Sequence, residues 1–143
     1  MTKGSPNNSP PKEQPSSKYK ENNEEKELVI LQLKKQVAAN LWFQAIAQIS
    51  EAIALTKLLY LREQSIGEEK IVAGVWVQAI GQLIEAIGVL NQLNAEDQAS
   101  LYEGQRTAIT GDWIQSFGNA IEALGGERVL YDELISNGSG FVP

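Results

Sequence analysis

Gly74-Val75-Trp76-Val77-Gln78-Ala79-Ile80-Gly81-Gln82-Leu83-Ile84-Glu85-Ala86-Ile87-Gly88 is the stretch around which the 143-residue chain is organised. It occurs three times. Asn40 to Ala54 is an earlier copy, matching at Trp42, Gln44, Ala45, Ile46, Glu51, Ala52 and Ile53. Gly111 to Gly125 is a later one, with Trp113, Gln115, Phe117, Gly118, Ile121, Glu122, Ala123 and Leu124 in the corresponding places. The Trp-to-Trp spacings are 34 and 37 residues, the range in which each repeat is one supersecondary unit.

At about 100° per residue the second copy is an amphipathic helix. Trp76, Val77, Ile80, Leu83, Ile84 and Ile87 share an apolar stripe, and Gln78, Gln82 and Glu85 lie opposite. Small residues occupy the two shoulders between them. One shoulder is a row in strict sevens, Gly67, Gly74, Gly81 and Gly88, repeated downstream as Gly104, Gly111, Gly118 and Gly125. In the first copy the same row reads Asn40, Ala47 and Ala54. The other shoulder carries Ala38, Ala45 and Ala52, then Ala79 and Ala86, then Ser116 and Ala123. Each interior glycine costs a helix about 1 kcal/mol against alanine. Rows this regular therefore predict a compensating gain, the close approach of helix backbones at Gly67 to Gly125 and at Ala79 and Ala86. A repeat of seven also implies a left-handed supercoil.

The spacing predicts an all-α fold: an antiparallel bundle of three long Gly/Ala-rich helices, with a short C-terminal helix over Glu127–Ser136. Residues 1–21, with Pro6, Pro10, Pro11 and Pro15 among polar residues, read as a disordered tail. Residues 22–137 read as the helical repeat domain and 138–143 as a second tail. Asn22 and Glu25 offer a capping box for the first helix and Ser65 and Glu68 one for the second. Asn94 and Asp97 are candidate caps for the third, and Gly125-Gly126 is a stop signal. The first helical pattern, residues 22–62, fits one helix or two. Short joints near residues 64 and 94 favour antiparallel neighbours. Counting from residue 94 sets Trp76 level with Trp113, and the segment before Lys35 is left needing cover, for which Glu127–Ser136 is the candidate.

Cysteine and histidine are absent. That removes disulfides, Cys/His metal sites, thiol nucleophiles and the commonest general base. No cofactor or metal is expected. The net charge of −6 divides into +3 over residues 1–20 and −9 over the rest, and an acidic body argues against nucleic acid and anionic lipid as partners. Trp42, Trp76 and Trp113 are read as core aromatics, since each sits on the apolar stripe. Glu51, Glu85 and Glu122, one per copy, are read as a solvated face beside Gln44, Gln78 and Gln115, with a shared acid, a cation site or a membrane-buried proton carrier as the alternatives. No catalytic constellation is visible, so the protein is expected not to be an enzyme. The glycines are no dinucleotide fingerprint, because their spacing is seven and no strand precedes them.

The repeated Trp-x-Gln-Ala-Ile-Gly and Ile-Glu-Ala-Ile-Gly elements over about residues 38–126 resemble repetitive proteins of Gram-positive bacteria that have no assigned activity. The first copy departs from the pattern at Asn40, Ala47 and Ala54. The resemblance implies a bacterial source and carries no chemistry. Tetratricopeptide repeats have a similar period, but their Trp-x-x-Leu-Gly spacing is not met.

The expected role is structural: a homo-oligomer or an adaptor for another helical protein. The rival is a membrane-associated oligomer, since rows of small residues also pack helices in lipid and Ile71–Leu93 holds one charge, Glu85. Gln78, Gln82, Asn91 and Gln92 weigh against spanning. The N-terminus lacks the apolar run of a secretory signal, and a cytoplasmic location is the expectation.

Overall fold

A computed structural model describes Met1, residues 15–61 and residues 65–137. Its backbone is all-α: α1 is Pro15–Leu61, α2 is Ile66–Leu93 and α3 is Gln98–Asn137, and no strand occurs among the described residues. By compactness the chain divides into two units, Met1–Leu33 and Lys34–Pro143.

In the first unit the helix begins at Pro15, seven residues before the expected cap at Asn22. Proline suits a first helical position, where its missing N–H has no intrahelical acceptor to lose. The remainder of the expected tail, residues 2–14, lies outside the described residues, as do residues 138–143. Residues 22–33 are exposed, including Leu28, Val29, Ile30, Leu31 and Leu33. The first repeat pattern is one uninterrupted helix, α1, consistent with the lack of proline or glycine between Ser16 and Leu61.

In the second unit the turns are closed by local chemistry. Ser65 caps α2: its hydroxyl accepts from the Glu68 N–H at 3.1 Å, while its backbone is extended. Asn94 ends α2 by donating its backbone N–H to the Leu90 carbonyl at 3.2 Å. Asp97 then caps α3, its carboxylate accepting from the Ser100 N–H at 2.7 Å as the Ser100 hydroxyl accepts from the Asp97 N–H at 3.3 Å. That hydrogen bond to Ser100 holds the Asp97 carboxyl below its ordinary value.

α3 does not stop at Gly125-Gly126, so the separate short C-terminal helix is instead the last third of α3. Continuation is favoured because Gly125 is buried against the backbone of α2 near Gly67 and Ile71, and Val129, one turn on, packs over Gly67. Those contacts offset the roughly 1 kcal/mol per glycine that would otherwise end the helix.

The core is thin. Its apolar members are Ala38, Ala45 and Ala52 of α1, Val75, Ala79 and Ala86 of α2, and Ala108 of α3, with Val75 the largest fully buried side chain. Ordinary cores draw their stability from side chains worth about 1.5–3 kcal/mol each on burial. Among the described residues only Val75 approaches that, and backbone-to-backbone contact takes the place of side-chain bulk.

Candidate functional site

Four pairs of glycines set the geometry of the α2–α3 contact. Gly67 lies on Gly125, Gly74 on Gly118, Gly81 on Gly111 and Gly88 on Gly104, an antiparallel ladder with one rung every two turns. At each rung a methyl group on either glycine would meet the opposite helix's backbone. A Cβ on Gly81 would stand 2.7 Å from the Gly111 carbonyl oxygen, and one on Gly118 would stand 2.8 Å from that of Gly74. All eight of these glycines are buried. The register follows from the rungs. Trp76, two residues past Gly74, comes level with Ser116, so Trp113 is displaced by three residues from the level the loop count gives it.

Close approach decides which way every other side chain points. With the glycine shoulder of α2 on α3 and its Ala79 and Ala86 shoulder buried, the strip between the shoulders turns inward. That strip is polar. Gln78 and Gln82 are buried, and Glu85 and Glu122 are half-buried. They satisfy one another: the Gln78 amide donates to the Glu122 carboxylate and the Gln115 amide to the Glu85 carboxylate, the latter at 2.7 Å. Gln78 and Gln115 occupy one repeat position and Glu85 and Glu122 another, so the second and third copies exchange the same bond in both directions. Gln82 adds a second donor to Glu85 at 3.1 Å, and the Gln48 amide of α1 donates to the Gln78 side-chain oxygen Oε1 at 2.7 Å. The solvated-face reading therefore needs correcting for Glu85 and Glu122, whereas Glu51 is exposed as expected. Gln48 was not singled out by the sequence, although it stands 34 residues before Gln82 and is its repeat counterpart.

The apolar stripe takes the remaining direction, outward. The assignment of the three tryptophans to the core is corrected accordingly. Trp113 is 64% exposed, Trp76 is 37% exposed with its indole N–H on the Thr56 hydroxyl at 3.0 Å, and Trp42 is half-buried. Ile80 and Ile87 of α2, Phe43, Ile46 and Ile53 of α1, and Ile109, Phe117 and Leu124 of α3 are exposed with them. The physical reason is that a bulky side chain cannot lie between backbones in contact. Small residues claim the interface, and hydrophobicity alone does not.

Two of the six small-residue shoulders remain uncovered: Asn40, Ala47 and Ala54 on α1, and Ser116 and Ala123 on α3. An apolar recess of about 270 Å³ opens where Leu55, Leu58 and Leu59 of α1 meet Ile71 and Val72 of α2 and Val129 of α3. Among the described residues no group of three or more metal-ligating side chains comes together.

No curated protein and no solved structure matches the chain. A family model does, over residues 69–140, just over half of the sequence and nearly the whole of the glycine-paired couple of α2 and α3. The chain belongs to that family, a family of unknown function designated DUF6944.

Proposed function

We propose that this protein is a non-enzymatic helix-docking module. The glycine ladder and the glutamine–glutamate layer form a rigid interior, and the outward apolar stripe is the working surface. The single observation that carries this reading is the inverted distribution of side chains, with Gly, Ala and Gln inside and Trp113, Phe117, Ile109 and Leu124 outside. Contiguous apolar surface of this kind marks an interaction site. An amphipathic helix of another protein or of a second copy is the matching surface. The absence of histidine and cysteine from the whole sequence supports a role without catalysis.

A membrane offers the second reading, favoured by α2, whose 28 residues include an 18-residue stretch of mean hydropathy 1.5 and which is long and apolar enough to cross a bilayer. Charge on its neighbours weighs against it. Gly81 pairs with Gly111, so Asp112 stands level with Ile80, the middle of α2, and is exposed. Glu51 is exposed between Gln48 and Thr56, the residues bonded to Gln78 and Trp76, which puts a second outward carboxylate near mid-span. Each would cost about 3 kcal/mol at the centre of a membrane.

The test is the double variant Trp113→Glu, Phe117→Glu. The docking reading expects its helix content and melting temperature to match the parent's, while any higher-order association seen by light scattering is lost. A large fall in melting temperature would show that the stripe is core. Parent protein recovered only in detergent, and resistant to alkaline extraction from membranes, would favour the second reading.

A further inference from the structure

α2 is flanked on both sides, since Gln78 bonds Gln48 of α1 and Glu122 of α3. That leaves one outer edge on α1 and one on α3, and the repeats show what each edge lacks for adding a further helix. The seam between α1 and α2 runs along the alanine shoulders. Ala38, Ala45 and Ala52 of α1 are buried, as are Val75, Ala79 and Ala86 of α2. The seam between α2 and α3 is the glycine ladder.

Continuing this alternation would use the glycine-type shoulder of α1 and the alanine-type shoulder of α3. On α1 the ladder is blocked sterically. Asn40, Ala47 and Ala54 carry side chains in the places of Gly74, Gly81 and Gly88, where a Cβ would stand 2.7–2.8 Å from the facing carbonyl oxygens. On α3 no such block exists, because Ser116 and Ala123 occupy the places of Ala79 and Ala86 and are small enough for the seam. The position that differs in kind is Asp112. It stands 37 residues after Val75, the largest fully buried side chain, and it is exposed. Leu41 fills the same place in α1 and is half-buried. Two copies thus put an aliphatic side chain into the seam, and the third puts a carboxylate at the outer edge.

The α1–α2 seam also gives the register that a pair of α3 helices would adopt. Gln48, in the place of Gln82, bonds Gln78 across it, which sets the two-fold centre of the equivalent α3 pair near residue 117. Asp112 of one chain would then face Asn119 and Ala123 of the other, with no cation at that level. Burying an unpaired carboxylate outweighs the apolar gain of such a seam. We infer that Asp112 is an end cap, which stops the outer shoulder of α3 from pairing with the same shoulder of a second copy. Terminal units of repeat arrays need a polar outer face of this kind. The inference is independent of the Trp113 and Phe117 stripe and its docking role.

Asp112→Val/Ser116→Ala in the full-length chain tests it by sedimentation equilibrium. Helix content should match the parent's, and self-association should strengthen about 100-fold or more, the effect of relieving an unpaired buried charge. Glu103→Val, which removes another exposed acid of α3 away from this shoulder, should change nothing. The chain lacks cysteine, so Ser116→Cys reports on the seam directly. It should cross-link to itself in the Asp112→Val background and not when Asp112 is present. Phe117→Glu, on the stripe, should leave that cross-link in place, which separates failure of the docking reading from failure of this one. The proposal is overturned by an Asp112→Val/Ser116→Ala chain that associates no more than the parent, or by a Glu103→Val chain that gains as much. A Ser116→Cys cross-link that forms equally fast with Asp112 present would overturn it too.

Discussion

Gly81→Ala is the sharpest probe of the glycine ladder, because two large effects oppose each other at that position. Alanine is the better helix former by about 1 kcal/mol, so on an isolated helix the change stabilises. In the folded unit the new methyl would stand 2.6 Å from the Gln115 backbone nitrogen, 2.7 Å from the Gly111 carbonyl oxygen and 2.8 Å from Gln115 Cγ. Two of those neighbours are backbone and cannot swing aside. α2 and α3 must therefore part by more than half an ångström at this rung, and the stiffness of helices passes the separation to the rungs on either side. Overpacking costs about 1–3 kcal/mol, and two unyielding backbone contacts place this site in the upper part of that range, about 2–3 kcal/mol. After the propensity gain the net expectation is a loss of about 1–2 kcal/mol, or about 4–8 °C in melting temperature for a unit of this size. Gly126→Ala is the internal control. Nothing lies within 4 Å of its Cβ position, so only the propensity gain remains, and that variant should melt about 3–4 °C higher. Thermal circular dichroism of both, in one buffer, reads the difference. A Gly81→Ala protein that melts at or above the parent would refute the claim that these backbones are in contact.

Gly81→Leu should cost more than about 2 kcal/mol by the same mechanism, measured in urea as a lower midpoint at unchanged slope. Val75→Ala should cost about 2 kcal/mol whereas Trp113→Ala should stay within about 0.5 kcal/mol, reversing the order that side-chain size alone suggests. Gln78→Leu should destabilise by about 1–3 kcal/mol, since it removes the donor to Glu122 and the acceptor of Gln48 in one step. Asp97 has a folded value lowered from 3.8 by its bond to Ser100. Its stabilising contribution is thus complete above the unfolded value and is lost as the pH falls through the folded one. Asp97→Asn should flatten the acid limb of the stability curve, followed by melting temperature against pH.

Much of the architecture is legible in the sequence because its signals are local. The seven-residue glycine rows announce close-packed helices, and Ser65 and Asp97 announce helix starts, since each acts within a turn or two of itself. The direction each helix faces is a property of pairs. Trp76 and Gln78 lie on different sides of one wheel, and which side is buried depends on whether the partner offers small residues that permit contact. Hydrophobicity alone sends Trp113 to the core and Gln82 to the solvent, the reverse of what the ladder dictates. The level of Trp76 against Trp113 likewise hangs on the rungs, which shift the loop count by three residues. Gly125-Gly126 reads as a stop because its compensation comes from Gly67 and Ile71, almost sixty residues earlier in the chain. The Gln78–Glu122 and Gln115–Glu85 bonds stay hidden until the antiparallel register is known.

The exchange of identical bonds between the second and third copies has a consequence for topology. A surface that meets its own repeat antiparallel, each glutamine on the other's glutamate, has the two-fold symmetry of a homodimer joined into one chain. Nothing in the rungs distinguishes the α3 of the same chain from the α3 of a neighbour. What keeps the pairing internal is the short turn from Asn94 to Asp97, with its bonds to Leu90 and Ser100. Shorten that turn until the chain cannot reverse, and the same ladder closes between two molecules, giving a domain-swapped pair with every rung preserved.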